Sequence, residues 1–260
     1  MIDHSYRVGH APVVLGLAAV YPHNVMNDAK KIVWISTQLI EQFGYSEIES
    51  IDPIENLVLT ILSQNTNDVN RDRAYKSLMT RFATLDDVRQ APVGDIATAI
   101  QVGGLHQQKS RSIQTALDRI LSERGSLELD FLNDLPLSDA LNWLTSLPGV
   151  GHKTAGIVLL FSFGRPYFPA DTHIRRIMSR MGLVPERGDP HIRLNQLLPR
   201  DTQLMQQLHV LAIHLGRTIC HPRKPTCMQC PLRPKCDWAR THGSIQADRV
   251  TSPINKGGNP

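Results

Sequence analysis

The chain has 260 residues, of which 41% are hydrophobic and 20% charged, with a formal net charge of +4. This length allows one large or two modest domains, and the composition is typical of a soluble globular protein. No apolar run approaches the roughly 18 residues of a membrane helix. The apolar segment 11–22 follows no basic leader of the kind that a secretory signal carries. We therefore expect an intracellular monomer, cytoplasmic or bound to the nucleoid.

Helical periodicity recurs along the chain, without a convincing series of alternating strands. Apolar residues spaced three and four apart, with Gly, Pro, Asp or Ser between the runs, predict separate helices. The predicted helices span residues 28–43, 53–63, 71–82, 85–89, 93–100, 110–122, 138–146, 152–163 and 172–181. The sequence therefore predicts an all-α fold. Residues 1–27 are expected to form a flexible leader, and residues 241–260 a flexible tail.

A turn rich in glycine, LPGVG at residues 147–151, separates two of these helices, and the second begins near His152. The free amides and the positive dipole end of a helix N-terminus favour an anion, and glycine lets the backbone approach it closely. We expect Gly149 and Gly151 to leave room for a phosphate. Val150, between them, is expected to pack into the turn and fix its shape.

The four cysteines lie in one C-terminal segment, at Cys220, Cys227, Cys230 and Cys236. Disulfide scaffolds spread their cysteines over a small secreted chain, so metal ligation is the better interpretation. Structural zinc sites usually pair two CxxC knuckles across a longer gap, whereas this segment has one CxxC flanked by two single cysteines. The spacing favours an iron–sulfur cluster, with zinc as the alternative.

Positive charge is concentrated around these cysteines. Between residues 217 and 240 there are six basic residues and one acidic residue. Arg223 and Lys224 lie in the loop between the first two cysteines, where prolines stiffen the chain. The charge indicates a phosphate-bearing partner. A solvated basic surface is the alternative interpretation.

Taken together, these motifs resemble those of the helix-hairpin-helix DNA glycosylases, and within them the endonuclease III branch. The resemblance covers residues 28–240 and rests on LPGVG followed by KTA at 153–155, on DTH at 171–173, and on the cysteine spacing. It implies an all-α fold of two domains with a DNA cleft between them. The expected helical barrel domain spans residues 45–165 and contains the hairpin. The expected [4Fe–4S] cluster domain combines residues 28–44 and 166–240.

The resemblance also implies the catalytic residues. Lys153 would attack C1′ of a damaged nucleotide, expel the base and cut the strand by β-elimination through a Schiff base. Taken alone, Lys153 is better interpreted as an ordinary surface or phosphate-contacting lysine; the other motifs reverse this preference. Asp171 is expected to cap its helix, for which Asp is well suited. The resemblance adds that its carboxylate faces the lysine and stabilises the oxocarbenium-like sugar.

Further roles follow for the DNA-binding residues. An enzyme that acts on a base within a duplex must extrude the nucleotide, at a cost of a few kcal/mol. The resemblance implies that Gln64 fills the resulting gap and that Leu105 wedges the duplex apart; the alternatives are a helix-end cap and a small core contact. The hairpin with His152 would bind the backbone. The cysteines would hold a [4Fe–4S] cluster that shapes the loop with Arg223 and Lys224.

The predicted function is that of a bifunctional DNA glycosylase and AP lyase, which removes oxidised pyrimidines from double-stranded DNA and also acts at abasic sites. A mismatch thymine or uracil glycosylase is one alternative, and a non-catalytic iron–sulfur DNA-binding protein is another. One extra residue between Gln64 and the next helix departs from the common endonuclease III pattern. This departure leaves the lesion preference open.

Overall fold

The computed structural model describes residues 23–242, and within this range the secondary structure is helical, without strands. The predicted all-α class is therefore confirmed. The α-helices are α1 His23–Phe43, α2 Pro53–Leu62, α3 Asp68–Arg81, α4 Leu85–Gln90, α5 Val93–Ala99, α6 His106–Arg124, α7 Leu137–Thr145, α8 His152–Ile157, α9 Thr172–Arg180, α10 His191–Leu197, α11 Thr202–Thr218 and α12 Asp237–His242. No helix among these residues is both long and apolar enough to span a membrane.

The first helix begins earlier than predicted. Most of the predicted leader and tail lies outside the described residues, but residues 23–27 form the first turns of α1 and residues 241–242 end α12. The leader was therefore predicted to extend too far. Asp28, which was expected to start the helix, lies inside it and accepts a hydrogen bond from Arg193 of α10 over 2.6 Å. Asp28 therefore forms an ion pair with a distant helix and does not mark the start of α1.

The buried apolar residues form two clusters. The first is drawn from the segment between Ile54 and Tyr167 and contains the inner faces of α2 to α8. The second packs α1 against α9, α10 and α11 and includes Leu160 and Phe168. Leu159 and Tyr167 belong to the first cluster, whereas Leu160 and Phe168 belong to the second, so the chain lies at the boundary of the two clusters over residues 159–168. The hairpin that opens α8 lies just before this stretch. The division into a barrel domain and a cluster domain stays a prediction.

Candidate active site and nucleic-acid interface

The LPGVG segment forms the predicted turn between α7 and α8. Gly149 has a φ of +77°, and a Cβ atom there would lie 2.6 Å from Ser112 Oγ, so only glycine fits. Val150 is 5% exposed and belongs to the first core cluster, which confirms that it packs into the turn. A Cβ at Gly151 would meet no atom within 4 Å, and no side chain of the described residues caps α8. The N-terminus of α8 is therefore open.

Lys153 and Asp171 lie at the starts of two different helices. Lys153 is half-buried in the first turn of α8. Asp171 is half-buried and caps α9, because its Oδ1 atom accepts a hydrogen bond from the Ile174 amide over 2.8 Å. This contact confirms the predicted cap. Gly182, with a φ of +73°, follows the end of α9 as expected.

Both charges act on one buried ring, that of His209 in α11. Burial lowers the pKa of His209 to about 4, Asp171 opposes this effect and Lys153 adds to it. The Nδ1 atom of His209 lies 3.0 Å from the carbonyl oxygen of Pro169, which can only accept, so Nδ1 carries the ring proton. His209 is therefore a neutral buried ring whose pKa responds to the charges of both candidate catalytic residues. Sequence reasoning missed it, because α11 had not been delimited.

A second carboxylate lies near Lys153. Asp68, the first residue of α3, accepts two hydrogen bonds from Arg217 of α11, over 2.6 and 3.1 Å. The hydrogen bond from Arg217 and the charge of Lys153 both lower the pKa of Asp68. This ion pair connects α3, which packs in the first core cluster, to α11, which packs in the second. The sequence offered only a weak signal for it, an acidic residue that opens a helix.

Asp189 connects two histidines on the other side of the hairpin. Its Oδ1 atom accepts a hydrogen bond from His191 Nδ1 over 2.5 Å, and its Oδ2 atom lies 3.3 Å from His152 Nδ1. The three side chains offer ligand atoms within 4.8 Å of one another, which is close enough for one metal ion. However, the Ala170 amide donates to His191 Nε2 over 3.1 Å. Nε2 of His191 is therefore unprotonated and Nδ1 carries the ring proton, so Nδ1 donates to Asp189 and is not free to bind a metal ion.

This cluster is thus a network of hydrogen bonds around His191, with the carboxylate of Asp189 also in ion-pair contact with His152. It extends from His152, next to Lys153, through Asp189 and His191 to the residue before Asp171. Burial raises the pKa of Asp189, but the hydrogen bonds from the His191 amide and ring outweigh it, so that the net change is a decrease. The network ties the two candidate catalytic segments together.

Gln64 contacts the hairpin, and Leu105 lies in a second loop, before α6. Gln64 does not cap α2; its Nε2 atom donates to the carbonyl oxygen of Gly149 over 2.8 Å. Leu105 is 48% exposed and precedes α6 in the left-handed conformation, with a φ of +48°. Gln64 is therefore not a helix-end cap and Leu105 is not a core residue, although the sequence allowed both roles. Their insertion into DNA stays a prediction.

The four cysteine side chains line one cavity, together with Arg180 and Trp238 among others. Arg180 Nη1 donates to Cys220 Sγ over 3.1 Å, and Arg176 Nε donates to the Cys220 carbonyl oxygen over 2.9 Å. Burial raises the pKa of the Cys230 thiol to about 11. Across residues 23–242, the cysteines do not form the tight group of candidate ligands that His152, Asp189 and His191 do.

The basic loop beside these cysteines faces solvent. Arg223 and Lys224 are both exposed, which is the arrangement that a phosphate-binding loop requires. The structure thus brings Gln64 to the hairpin and links the residue before Lys153 to the residue before Asp171 through Asp189 and His191. The two basic residues lie apart from these, in the loop beside the cysteines.

Comparison with known proteins decides the family. Residues 58–199 match the sequence model of the HhH-GPD superfamily base excision DNA repair proteins. The chain belongs to this superfamily. The resemblance to helix-hairpin-helix DNA glycosylases is thereby confirmed.

Relatives within the superfamily support the endonuclease III branch. The chain is 34% identical over 211 residues to endonuclease III of Thermotoga maritima, covering 80% of this chain and 93% of the relative. Among solved structures, it is similar to a non-covalent endonuclease III–DNA complex, with a TM-score of 0.70 and 26% identity over 83% of this chain and 98% of the other. A trapped endonuclease III–DNA covalent intermediate has the same identity and coverage, with a TM-score of 0.69.

Proposed function

We propose that this protein is a bifunctional DNA glycosylase and AP lyase of base excision repair, acting on double-stranded DNA with damaged bases or abasic sites. The observation that carries the proposal is that, in a chain of the endonuclease III type, Lys153 lies in the first turn of α8 behind the open hairpin and Asp171 caps the next helix, α9. A lysine and a carboxylate at one site are what Schiff-base chemistry at a sugar requires. A covalent DNA intermediate of a structural neighbour supports the same chemistry.

In the proposed reaction, Lys153 Nζ attacks C1′ of the extruded nucleotide. The Nζ–C1′ bond forms as the bond from C1′ to the base breaks, and the base leaves with that electron pair and takes up a proton. Asp171 stabilises the positive charge that develops on the sugar. Nζ then loses a proton, and its lone pair forms the C1′=Nζ double bond of the Schiff base while the C1′–O4′ bond breaks and O4′ takes up a proton. Removal of a C2′ proton then expels the 3′ phosphate and cuts the strand.

DNA binding is assigned to the open N-terminus of α8 and to its neighbours. Gly149, Gly151 and the first amides of α8 would hold the backbone beside the lesion, with His152 at the same helix start. Gln64, already in contact with the hairpin, would fill the gap left by the nucleotide, and Leu105 would enter from the second loop. Oxidised pyrimidines are the proposed lesions.

We also propose that the four cysteines hold a [4Fe–4S] cluster. The donor set fits, because four thiols line one cavity and are spread more widely than the ligands of a single ion. The hydrogen bond from Arg180 to Cys220 would stabilise a thiolate ligand. When bound, the cluster would cross-link this segment and orient the loop with Arg223 and Lys224 toward DNA. The glycosidic chemistry itself would remain with Lys153 and Asp171.

This assignment implies an organisation of the chain. Residues 45–165 would form the barrel domain, and residues 28–44 with 166–240 the cluster domain, each with one of the two apolar clusters at its centre. Damaged DNA would lie between them, over the Asp68–Arg217 ion pair. The protein would act as an intracellular monomer.

Borohydride trapping tests the proposal. The purified protein is incubated with duplexes that contain thymine glycol, an abasic site, or a G·T or G·U mismatch, and the imine is reduced to a stable adduct. We expect adducts with thymine glycol and with the abasic site. Lys153→Gln should abolish them while DNA binding persists, and Lys76→Gln, a change of an exposed lysine on α3, should leave them intact.

The pattern of adducts separates the alternatives. An adduct with a mismatch and none with thymine glycol would favour the mismatch glycosylase. The absence of any adduct would overturn the lyase assignment in favour of a monofunctional enzyme or a DNA-binding protein. Trapping that survives Lys153→Gln would show that another amine is the nucleophile.

A further inference from the structure

Lys109 of α6 is a buried lysine that the proposed chemistry does not use. Its side chain is 2% exposed, and no carboxylate of the described residues pairs with it. Its Nζ atom donates to the carbonyl oxygens of Leu62, over 2.7 Å, and Gly103, over 2.8 Å. Lysine is rarely buried unless its charge is paired, and burial lowers the pKa of Lys109. These two carbonyls are therefore its only described partners.

The two carbonyl groups occupy equivalent places in two loops. Leu62 is the last residue of α2 and lies two residues before Gln64. Gly103 ends a short helical turn and lies two residues before Leu105. One ammonium group thus joins the stems of both loops whose side chains are proposed to enter the DNA gap.

Both loops also contain unusual backbone. Among the described residues, the non-glycine residues with positive φ are Asn65, at +51°, and Leu105, at +48°. Such conformations are disfavoured for residues with a Cβ, and they persist only where the surroundings hold them. The Gly103 loop is held from its other side as well, because a Cβ at Gly103 would lie 3.2 Å from Ala74 Cβ. Each of the two loops thus contains a left-handed residue, of which Leu105 is the disfavoured one, and both loops share one buried anchor.

We propose that Lys109 is a positioning residue that fixes the spacing between the Gln64 and Leu105 loops, so that both side chains enter the same gap in the duplex. This inference rests on the proposed function. A lost hydrogen bond at either stem would let that loop relax, and its side chain would no longer meet the gap. Lys109 contacts neither DNA nor the sugar, so it acts through the two loops.

The test compares two substrates of the same enzyme. Duplex DNA with a lesion requires gap filling, whereas a single-stranded abasic site presents its sugar without a partner strand. Lys109→Met keeps the length of the side chain and removes the donors. We expect cleavage of the duplex lesion to fall by about ten- to a hundredfold, because even small misplacements of groups in a site reduce the reaction rate to this extent. Cleavage of the single strand should stay within about twofold, because its chemistry needs only Lys153 and Asp171.

A matched control separates positioning from stability. Leu117→Ala lies on the same helix and removes buried side-chain volume without touching either carbonyl. It should lower the melting temperature and leave the ratio of duplex to single-strand activity unchanged. If Lys109→Met does not fold, Gly103→Ala displaces the same loop from the Ala74 side and should lower the same ratio.

The outcomes are distinguishable. Wild-type protein that cleaves neither the duplex lesion nor the single-stranded abasic site would overturn the proposed function itself. Active wild-type protein with an unchanged ratio in Lys109→Met, or in Gly103→Ala where the first does not fold, would overturn the role of Lys109. Fluorescence of 2-aminopurine at the lesion gives a second readout. A smaller extrusion signal in the variant at saturating protein supports the proposal, and an equal signal contradicts it.

Discussion

The side-chain amide of Gln64 donates a hydrogen bond to the carbonyl oxygen of Gly149 over 2.8 Å. The residue proposed to fill the DNA gap is thereby held against the turn proposed to bind the DNA backbone, although 85 positions separate them in the chain. The two elements form one surface before any DNA is present. Recognition of the backbone and filling of the gap can therefore occur together.

The two glycines of the hairpin should respond differently to alanine. Gly149→Ala places a side chain at a φ of +77° and against Ser112 Oγ, so we expect it to destabilise the fold by about 1–3 kcal/mol. Gly151→Ala meets open space and should leave the melting temperature unchanged. It should still weaken DNA binding, because the new methyl group points into the proposed phosphate site. Thermal melting and fluorescence anisotropy measure the two effects. Full DNA affinity in Gly151→Ala would contradict the assignment of the hairpin.

Asp171→Asn should separate the capping role from the catalytic role. Asn caps helices about as well as Asp, so the melting temperature should change little. Loss of the negative charge should reduce base excision by about a hundredfold or more, because charge stabilisation at the reacting centre is lost. Asp201→Asn is the matched control, since Asp201 caps α11 through the Leu204 amide in the same way. Equal excision rates in the two variants would rule out the proposed role of Asp171.

Stability should depend on pH through His209. Burial holds the pKa of this ring near 4 in the folded state, below its ordinary value of about 6.5. Between pH 4 and 6.5 the unfolded chain therefore binds more protons than the folded chain. The contribution of neutral His209 to the free energy of unfolding is complete above pH 6.5 and is lost as the pH falls toward 4. The loss is of the order of 3 kcal/mol. Urea titrations should show a shallower decline for His209→Phe, while His214→Gln, an exposed change in the same helix, should follow the wild type. Parallel curves for wild type and His209→Phe would contradict the prediction.

The identity of the metal can be measured directly. The protein should contain four irons and acid-labile sulfide per chain and absorb visible light broadly. Cys230→Ser should remove the iron and weaken DNA binding through the loop with Arg223 and Lys224, while Lys153 would remain reactive toward abasic DNA at high protein concentration. One zinc per chain without sulfide would favour the alternative site.

Interactions between residues close in sequence could be predicted. The hairpin, the Asp171 cap and the stop at Gly182 depend on backbone conformations that Gly and Asp favour and on partners within a few positions. The grouping of the four cysteines could also be predicted, because all of them lie in one short segment of the sequence. These features, together with the helical periodicity, were sufficient for the fold class and the family.

The tertiary structure alone decided which distant groups surround these motifs. Lys109 reaches Leu62 from 47 positions away, His209 reaches Pro169 from 40, and Arg217 reaches Asp68 from 149. Periodicity marks a helix face as buried, but it does not say which polar atom from another helix lies opposite. A buried lysine or histidine is stable only where such a partner is provided. The sequence alone therefore determined the helices up to residue 181, the hairpin and the candidate nucleophile. Only packing between helices determined which distant polar and charged groups surround them, because that depends on contacts between residues far apart in the chain.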